Sequence, residues 1–262
     1  MPKNFNMLKY LFLSATLLFL VGGFKSPEST AQTNTSYSAL DFEDYKKSPM
    51  ANPQWDPFVQ EGFQAFDRQD MQTTIEFLRK ALGLGCNSPL VHFKLALAFE
   101  SQGSYYSAIQ YYELAGTGFK QANQSHRYAK DYLSNYGRAL YMMGQNDKAY
   151  VIFQKAVETK KEFWILKLLG QMAMNKGDLA TATSYYEQAL ANPDESTTNN
   201  DAMALYMELA KSYFAKGDKA TGESYYNKIL AIDPNNKEAT DYYKAIQRDQ
   251  NQEKVFEILN NH

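Results

Sequence analysis

The 262-residue sequence predicts an all-α protein, a stack of about five helical hairpins closed by a C-terminal helix. Three observations carry that reading. From Trp55 onward apolar residues recur at helical spacing, and no stretch alternates at period two for long enough to argue a strand. The chain aligns with itself over Trp55 to Asn236. A doubled aromatic followed by a small or branched residue keeps returning, as YYELA at Tyr111–Ala115, SYYEQAL at Ser184–Leu190 and SYYNKIL at Ser224–Leu230.

The self-alignment fixes the hairpin. Small residues at Gly62, Ala96, Gly137, Gly170 and Ala210 share one downstream pattern, at steps of 34, 41, 33 and 40 residues. Seven residues on stand Gln69, Gly103, Gly144, Gly177 and Gly217. Twelve, sixteen and nineteen on, the third and fourth repeats read Ala149, Phe153, Ala156 and Ala182, Tyr186, Ala189. Those offsets are i, i+4 and i+7, one face of a second helix. Glycine ends the first helix in the left-handed conformation, and Asp178 or Asp218 caps the next. The second ring of each pair, Tyr186 in SYYEQAL, becomes a packing wedge. The first, Tyr185, points about 100° around the helix, toward the following repeat or solvent. The repeats run near 55–88, 89–122, 130–162, 163–196 and 203–236. The two long steps place six or seven extra residues in linkers within Gly116–Ser125 and Asp194–Asn200. The first repeat departs most, with Gln69 where glycine is expected. Residues 237–262 supply a capping helix and tail, with Tyr242 and Tyr243 facing the last hairpin. One hairpin cannot bury both of its faces, so neighbours stack as a solenoid.

This spacing, the KGD turns at Lys176–Asp178 and Lys216–Asp218, and AIDPNN at Ala231–Asn236 resemble the tetratricopeptide repeat, whose nominal period is 34 residues. The resemblance implies a right-handed solenoid in which the first helix of each hairpin lines a concave groove for extended peptides or partner helices. The carboxylate-clamp subfamily needs Lys and Asn on its first helix. Val59 and Phe63 stand there, so that use is not expected.

The N-terminus reads as a targeting segment. Lys3 and Lys9 precede an apolar run, Tyr10 to Phe24, too short for a bilayer span of about 20 residues and fitting a signal-peptide core. Residues 1–31 are therefore expected to be a signal peptide cleaved after Ala31, with a cut after Gly23 or an uncleaved anchor as alternatives. The folded part is expected to be exported, periplasmic or secreted, with no membrane span after cleavage. Residues 32–54 read as a polar linker with one short amphipathic turn at Ala39–Lys46.

Composition and motifs argue against chemistry. Lys and Arg number 27 against 29 Asp and Glu, a net charge of −2, so no basic surplus points to nucleic acid. The histidines, His92, His126 and His262, are far apart and in no metal spacing, and no phosphate loop is present. No catalytic set, metal or cofactor is expected. The single cysteine, Cys86, reads as buried and inert, or else as pairing between chains.

A partner is expected on the first helices. Residues three before, one after and four after each small residue share a face. In order along the chain that face carries Val59, Phe63 and Phe66, then Phe93, Leu97 and Glu100, then Ser134, Arg138 and Tyr141. Lys167, Gln171 and Met174 follow, and Met207, Lys211 and Phe214 end it. Two readings stay open. The aromatic end is inter-repeat core, or it floors an apolar groove while Arg138, Lys167 and Lys211 form a cationic ladder for an acidic segment. Residues 32–48, with Tyr37, Leu40, Phe42 and Tyr45, are an apolar–acidic segment able to occupy that groove as an internal ligand. The expected function is a non-catalytic interaction scaffold of the bacterial cell envelope, assembling or maintaining a multiprotein complex through a protein or peptide partner. A periplasmic chaperone-like peptide binder is the alternative, and a homo-oligomer is not indicated.

Overall fold

The computed structural model describes residues 37–121, 127–245 and 247–248, all within one unit, Tyr37–His262. The expected signal peptide and the end of the C-terminal tail lie outside the described residues. Eleven helices follow one another, and no strand occurs among the described residues. They are α1 (Tyr37–Lys46), α2 (Asp56–Asp67), α3 (Met71–Gly83), α4 (Pro89–Ser101), α5 (Tyr105–Gln121), α6 (Arg127–Met142), α7 (Asn146–Thr159), α8 (Phe163–Asn175), α9 (Leu179–Ala191), α10 (Asn199–Ala215) and α11 (Lys219–Ile232). Residues 237–245 are also helical.

Helices α2 to α11 pair as five hairpins, α2 with α3 through α10 with α11, and each hairpin packs on its neighbours in chain order. This is the stacked-hairpin solenoid that the repeat pattern predicts. The turn inside each hairpin is the same device five times. In the fourth, Gly177 N–H donates to Met174 C=O at 2.9 Å and Asp178 N–H to Ala173 C=O at 3.0 Å, a Schellman closure. Gly103, Gly144, Gly177 and Gly217 take φ of 72° to 84°, where a side chain is strained. Gln69 takes the same conformation at φ 60°, with Gln69 N–H donating to Phe66 C=O at 3.0 Å and Asp70 N–H to Ala65 C=O at 2.9 Å. The first repeat therefore keeps the shared turn despite its departure in sequence, at a conformational cost. Three of the five second helices begin on aspartate caps. Asp70, Asp178 and Asp218 accept from Thr73, Thr181 and Thr221 N–H at 3.1, 3.0 and 3.1 Å.

The small–large stripe packs as expected. A Cβ on Gly170 would meet the Tyr186 ring, its Cδ1 at 2.5 Å, and one on Gly137 would meet Phe153 Cδ1 at 2.6 Å. Glycine here buys close approach of two helices around one ring. Ala156 and Ala189, three residues after Phe153 and Tyr186, are fully enclosed beside them.

Three expectations need correction. The extra residues of the long repeat steps are shared between helix and loop: α5 and α10 each run to 17 residues, while 194–198 stay non-helical as expected. Gly116 and Gly118 sit inside α5 because Tyr132 and Pro89 press against them, leaving no room for a Cβ. Thr198 starts α10 early with a reciprocal capping box, taking Asp201 N–H at 3.2 Å while Asp201 Oδ2 accepts Thr198 N–H at 3.1 Å. Tyr185 reaches back, not forward: its hydroxyl accepts from Gln154 Nε2 of α7, in the preceding hairpin, at 3.2 Å. The segment read as a polar linker contains α1, packed on α2.

The interior divides into three clusters. The first runs from Tyr45 to Met172, the second joins α8 and α9 to Leu205 and Leu209, and the third joins Met207, Ala210 and Phe214 to α11 and Ala239. Helices α8 and α10 are thus shared, one face to each side. Tyr242 and Tyr243 pack on Tyr226, with ring centroids 5.7 and 5.8 Å away, so the C-terminal helical stretch covers the last hairpin. Cys86 is buried and in no disulfide, and burial pushes its thiol pKa up. No described helix is long and apolar enough to cross a membrane.

Candidate functional site

The face carried by the first helices is not uniform along the stack. On α2, Val59 and Phe63 are fully buried and Phe66 is half-buried. Helix α1 lies over this end. The Tyr45 ring meets Phe63 edge-on, centroids 6.4 Å apart, and Phe42 stacks on Tyr45 at 5.7 Å. The Tyr45 hydroxyl donates to Asp56 Oδ1 at 2.7 Å, and Lys46 Nζ pairs with Asp56 Oδ2 at 2.5 Å. Burial would raise the Asp56 carboxyl pKa, but hydrogen bonds from Lys46, Tyr45 and Asn52 hold it below its ordinary value. Burial, with the bond to Asp56, raises the Tyr45 phenol pKa far above its usual range.

Beneath α1 sits Lys94 of α4. Its ammonium pairs with Asp41 of α1 at 2.6 Å, and both side chains are nearly inaccessible. The same Nζ lies 4.3 Å from the Phe66 ring centroid and 5.9 Å from that of Phe63. A cation so placed gains from the ring faces as well as from the carboxylate.

The rest of the predicted face falls into two groups. Phe93, Met207 and Phe214 are interior residues. Phe93 meets Phe119 and Tyr132 edge-on at 6.2 and 6.4 Å, and Phe214 packs on Tyr226 at 5.7 Å. Of the two readings left open, these contacts fit inter-repeat core for Phe93, Met207 and Phe214, while Phe63 lies under α1. Leu97, Tyr141, Gln171 and Met174 are half-buried, at register-equivalent places on α4, α6 and α8.

The cations do not stand as a free ladder. Arg138 Nε donates to Glu100 Oε1 of the preceding hairpin at 2.7 Å, and its Nη2 donates to Asn135 Oδ1 at 2.7 Å. Glu100, buried, also accepts from the Tyr112 hydroxyl. Lys167 Nζ reaches Asp201 of the following hairpin at 3.4 Å. Lys211 Nζ lies 3.4 Å from Glu208 and 3.5 Å from Glu238 beyond α11. Each cation is therefore matched by an acid of the same chain, mostly across a hairpin boundary. Ser134 adds a further link, its hydroxyl donating to Glu162 Oε2 at 2.6 Å.

Sequence reasoning passed over Lys94, Asp41 and Asp56. The available signal was Lys94 itself, a single cation inside the apolar run PLVHFKLALAF of α4. His92, two residues before it, is buried with neither ring nitrogen hydrogen-bonded, and burial pushes its pKa down to about 4. Among the described residues, no group of three His, Cys, Asp or Glu stands close enough to hold a metal.

Comparison with known proteins agrees with this geometry. A tetratricopeptide repeat family model matches residues 167–237. The chain folds as a tetratricopeptide-repeat solenoid. Its structure is similar to that of YrrB, described as a TPR protein with an unusual peptide-binding site, at TM-score 0.57 and 15% identity over 79% of this chain and 99% of that one. It is also similar to MamA from Desulfovibrio magneticus RS-1, at TM-score 0.52 and 13% identity over 71% and 98% of the two chains. A third likeness is to the C-terminal part of a TPR repeat-containing protein from Cytophaga hutchinsonii, at TM-score 0.51 and 21% identity over 68% and 66%. At these identities the likeness is one of fold. No curated protein matches the chain at a significant level.

Proposed function

We propose that this protein is a non-catalytic interaction scaffold that holds a segment of a partner protein along the first helices of its middle hairpins. The observation that carries the proposal is the contrast along one register. Val59 and Phe63 of α2 are covered, whereas Tyr141 of α6 and Gln171 and Met174 of α8 keep part of their surface. Lys167 beside them is 42% exposed and only loosely held by Asp201, so it can offer its charge to a ligand. The repeat fold and the peptide-binding site described for YrrB support the same use.

The place of action we propose is the cell envelope of a bacterium, periplasmic or secreted. Lys3, Lys9, the apolar run to Phe24 and Ser29-Thr30-Ala31 support export with cleavage after Ala31, and the mature protein is then expected to begin at Gln32 by intact mass. A photo-crosslinker placed at Gln171 and Met174 in living cells tests the scaffold. One stoichiometric adduct at both positions, absent with the probe at exposed Lys155 of α7, is the expected result. A ladder of many clients would instead favour a chaperone-like peptide binder, and no adduct at either position would overturn the proposal.

A further inference from the structure

Helix α1 is a short cover over a charged and aromatic surface of the stack. Ten residues make a helix too short to be stable alone, so α1 is helical because it is docked. Among its described side chains, from Asp41 to Lys46, only Asp41 and Tyr45 are fully buried. They stand four residues apart, on one helical face. Below them the receiving surface is built: the Lys94 ammonium, the Phe63 and Phe66 rings, and the Asp56 carboxylate that accepts the Tyr45 hydroxyl. If α1 leaves, Lys94 loses its carboxylate and the Phe63 ring loses the Tyr45 ring that meets it. The surface so uncovered sets one ammonium beside two aromatic rings and a carboxylate, a pattern complementary to a segment that carries a carboxylate and a phenol.

We propose that α1 is a releasable occupant, and that the surface beneath it binds in trans an acidic helical segment of a partner protein carrying an aspartate and, four residues later, a tyrosine. The aspartate pairs with Lys94, the ring lies edge-on to Phe63, and the phenol donates to Asp56. This is helix-in-groove recognition whose chemistry is written in the chain's own α1. The inference rests on the scaffold reading and names the partner chemistry for its N-terminal end.

A fluorescent peptide of residues Tyr37–Lys46 is the probe, titrated into the full chain and into full-chain Tyr45→Ala. Tyr45→Ala is expected to bind it at least tenfold more tightly than the unsubstituted chain, because its own α1 competes less. A peptide with Asp41→Asn is expected to bind at least tenfold more weakly, and Lys94→Met in the chain to abolish binding. Equal affinity of the two chains, or of the two peptides, would overturn the proposal. Hydrogen exchange on the unsubstituted chain guards against a variant that fails to fold. Amides of Glu43–Lys46 are expected to exchange at least a hundredfold faster than those of α4, and equal protection would make α1 a fixed part of the fold and sink the idea. The peptide experiment does not involve α6 or α8, so its failure leaves the crosslinking result at Gln171 and Met174 standing.

Discussion

Replacing Gln69 with glycine should stabilise the chain, because the first hairpin turn uses a side chain where the other four use none. The perturbation is local. Gln69 is exposed, and its φ of 60° matches the 72° to 84° of Gly103, Gly144, Gly177 and Gly217. The Schellman hydrogen bonds survive the change because both donors are backbone N–H groups, those of Gln69 and Asp70. Holding a side chain in the left-handed region costs about 1–2 kcal/mol. Glycine gives back about 0.5–1 kcal/mol through the entropy of the unfolded chain. The net expectation is a gain of about 0.5–1 kcal/mol. The reverse change, Gly144→Gln, meets open space and should cost about 1–2 kcal/mol through backbone strain alone. Urea unfolding of the full chain followed by circular dichroism reads both, with hydrogen exchange in α2 and α3 to place the effect within the array. A lower midpoint for Gln69→Gly, or an unchanged one for Gly144→Gln, would refute the argument that one turn geometry is shared by all five hairpins.

Other outcomes follow from buried polar groups and close packing. His92, neutral in the fold, has its pKa pushed from 6.5 down to about 4, so between those values the unfolded chain binds more protons than the folded one. Stability present above pH 6.5 should therefore fall by about 3 kcal/mol as pH drops toward 4, and His92→Phe should flatten that part of the pH profile of urea midpoints. The hydroxyls of Tyr186 and Tyr226 are buried without a hydrogen-bond partner, whereas that of Tyr112 donates to Glu100. Tyr186→Phe and Tyr226→Phe should be neutral or stabilise by about 1 kcal/mol, and Tyr112→Phe should destabilise by about 1–3 kcal/mol in the same assay. Gly170→Ala drives a methyl into the Tyr186 ring and should lower stability by about 1–3 kcal/mol, with partial recovery in the Gly170→Ala, Tyr186→Leu double variant.

The solenoid was legible because its determinants are local and repeated. A glycine at a fixed offset, an aspartate after it, and a ring between two small residues each have one physical use in a hairpin, and five copies average out the exceptions. Gln69 shows why the exceptions matter little: the fold imposes the turn on a residue that resists it. The candidate face was harder to read. Register arithmetic assigns a side to Phe93 or Phe214, but it does not know that Tyr132 or Tyr226 lies across from it. The cations illustrate the same limit. Arg138 and Glu100 are 38 residues apart, so their pairing depends on how one hairpin sits on the next. The long helices α5 and α10 escaped notice because glycine in Gly116-Thr117-Gly118 looks like a linker until Tyr132 and Pro89 are seen to need the space.

The shared helices α8 and α10 have a consequence for how such an array changes over time. Each belongs to two interiors at once, so each is a seam where the chain is divisible. The last hairpin, α10 with α11, forms with the residues around Ala239 an interior of its own. Losing or duplicating that hairpin would disturb a single seam, whereas a change among α2 to α7 would cut through the largest cluster. The C-terminal end is therefore where this array can lengthen or shorten by a unit in descent, while its N-terminal half is bound to evolve as one block.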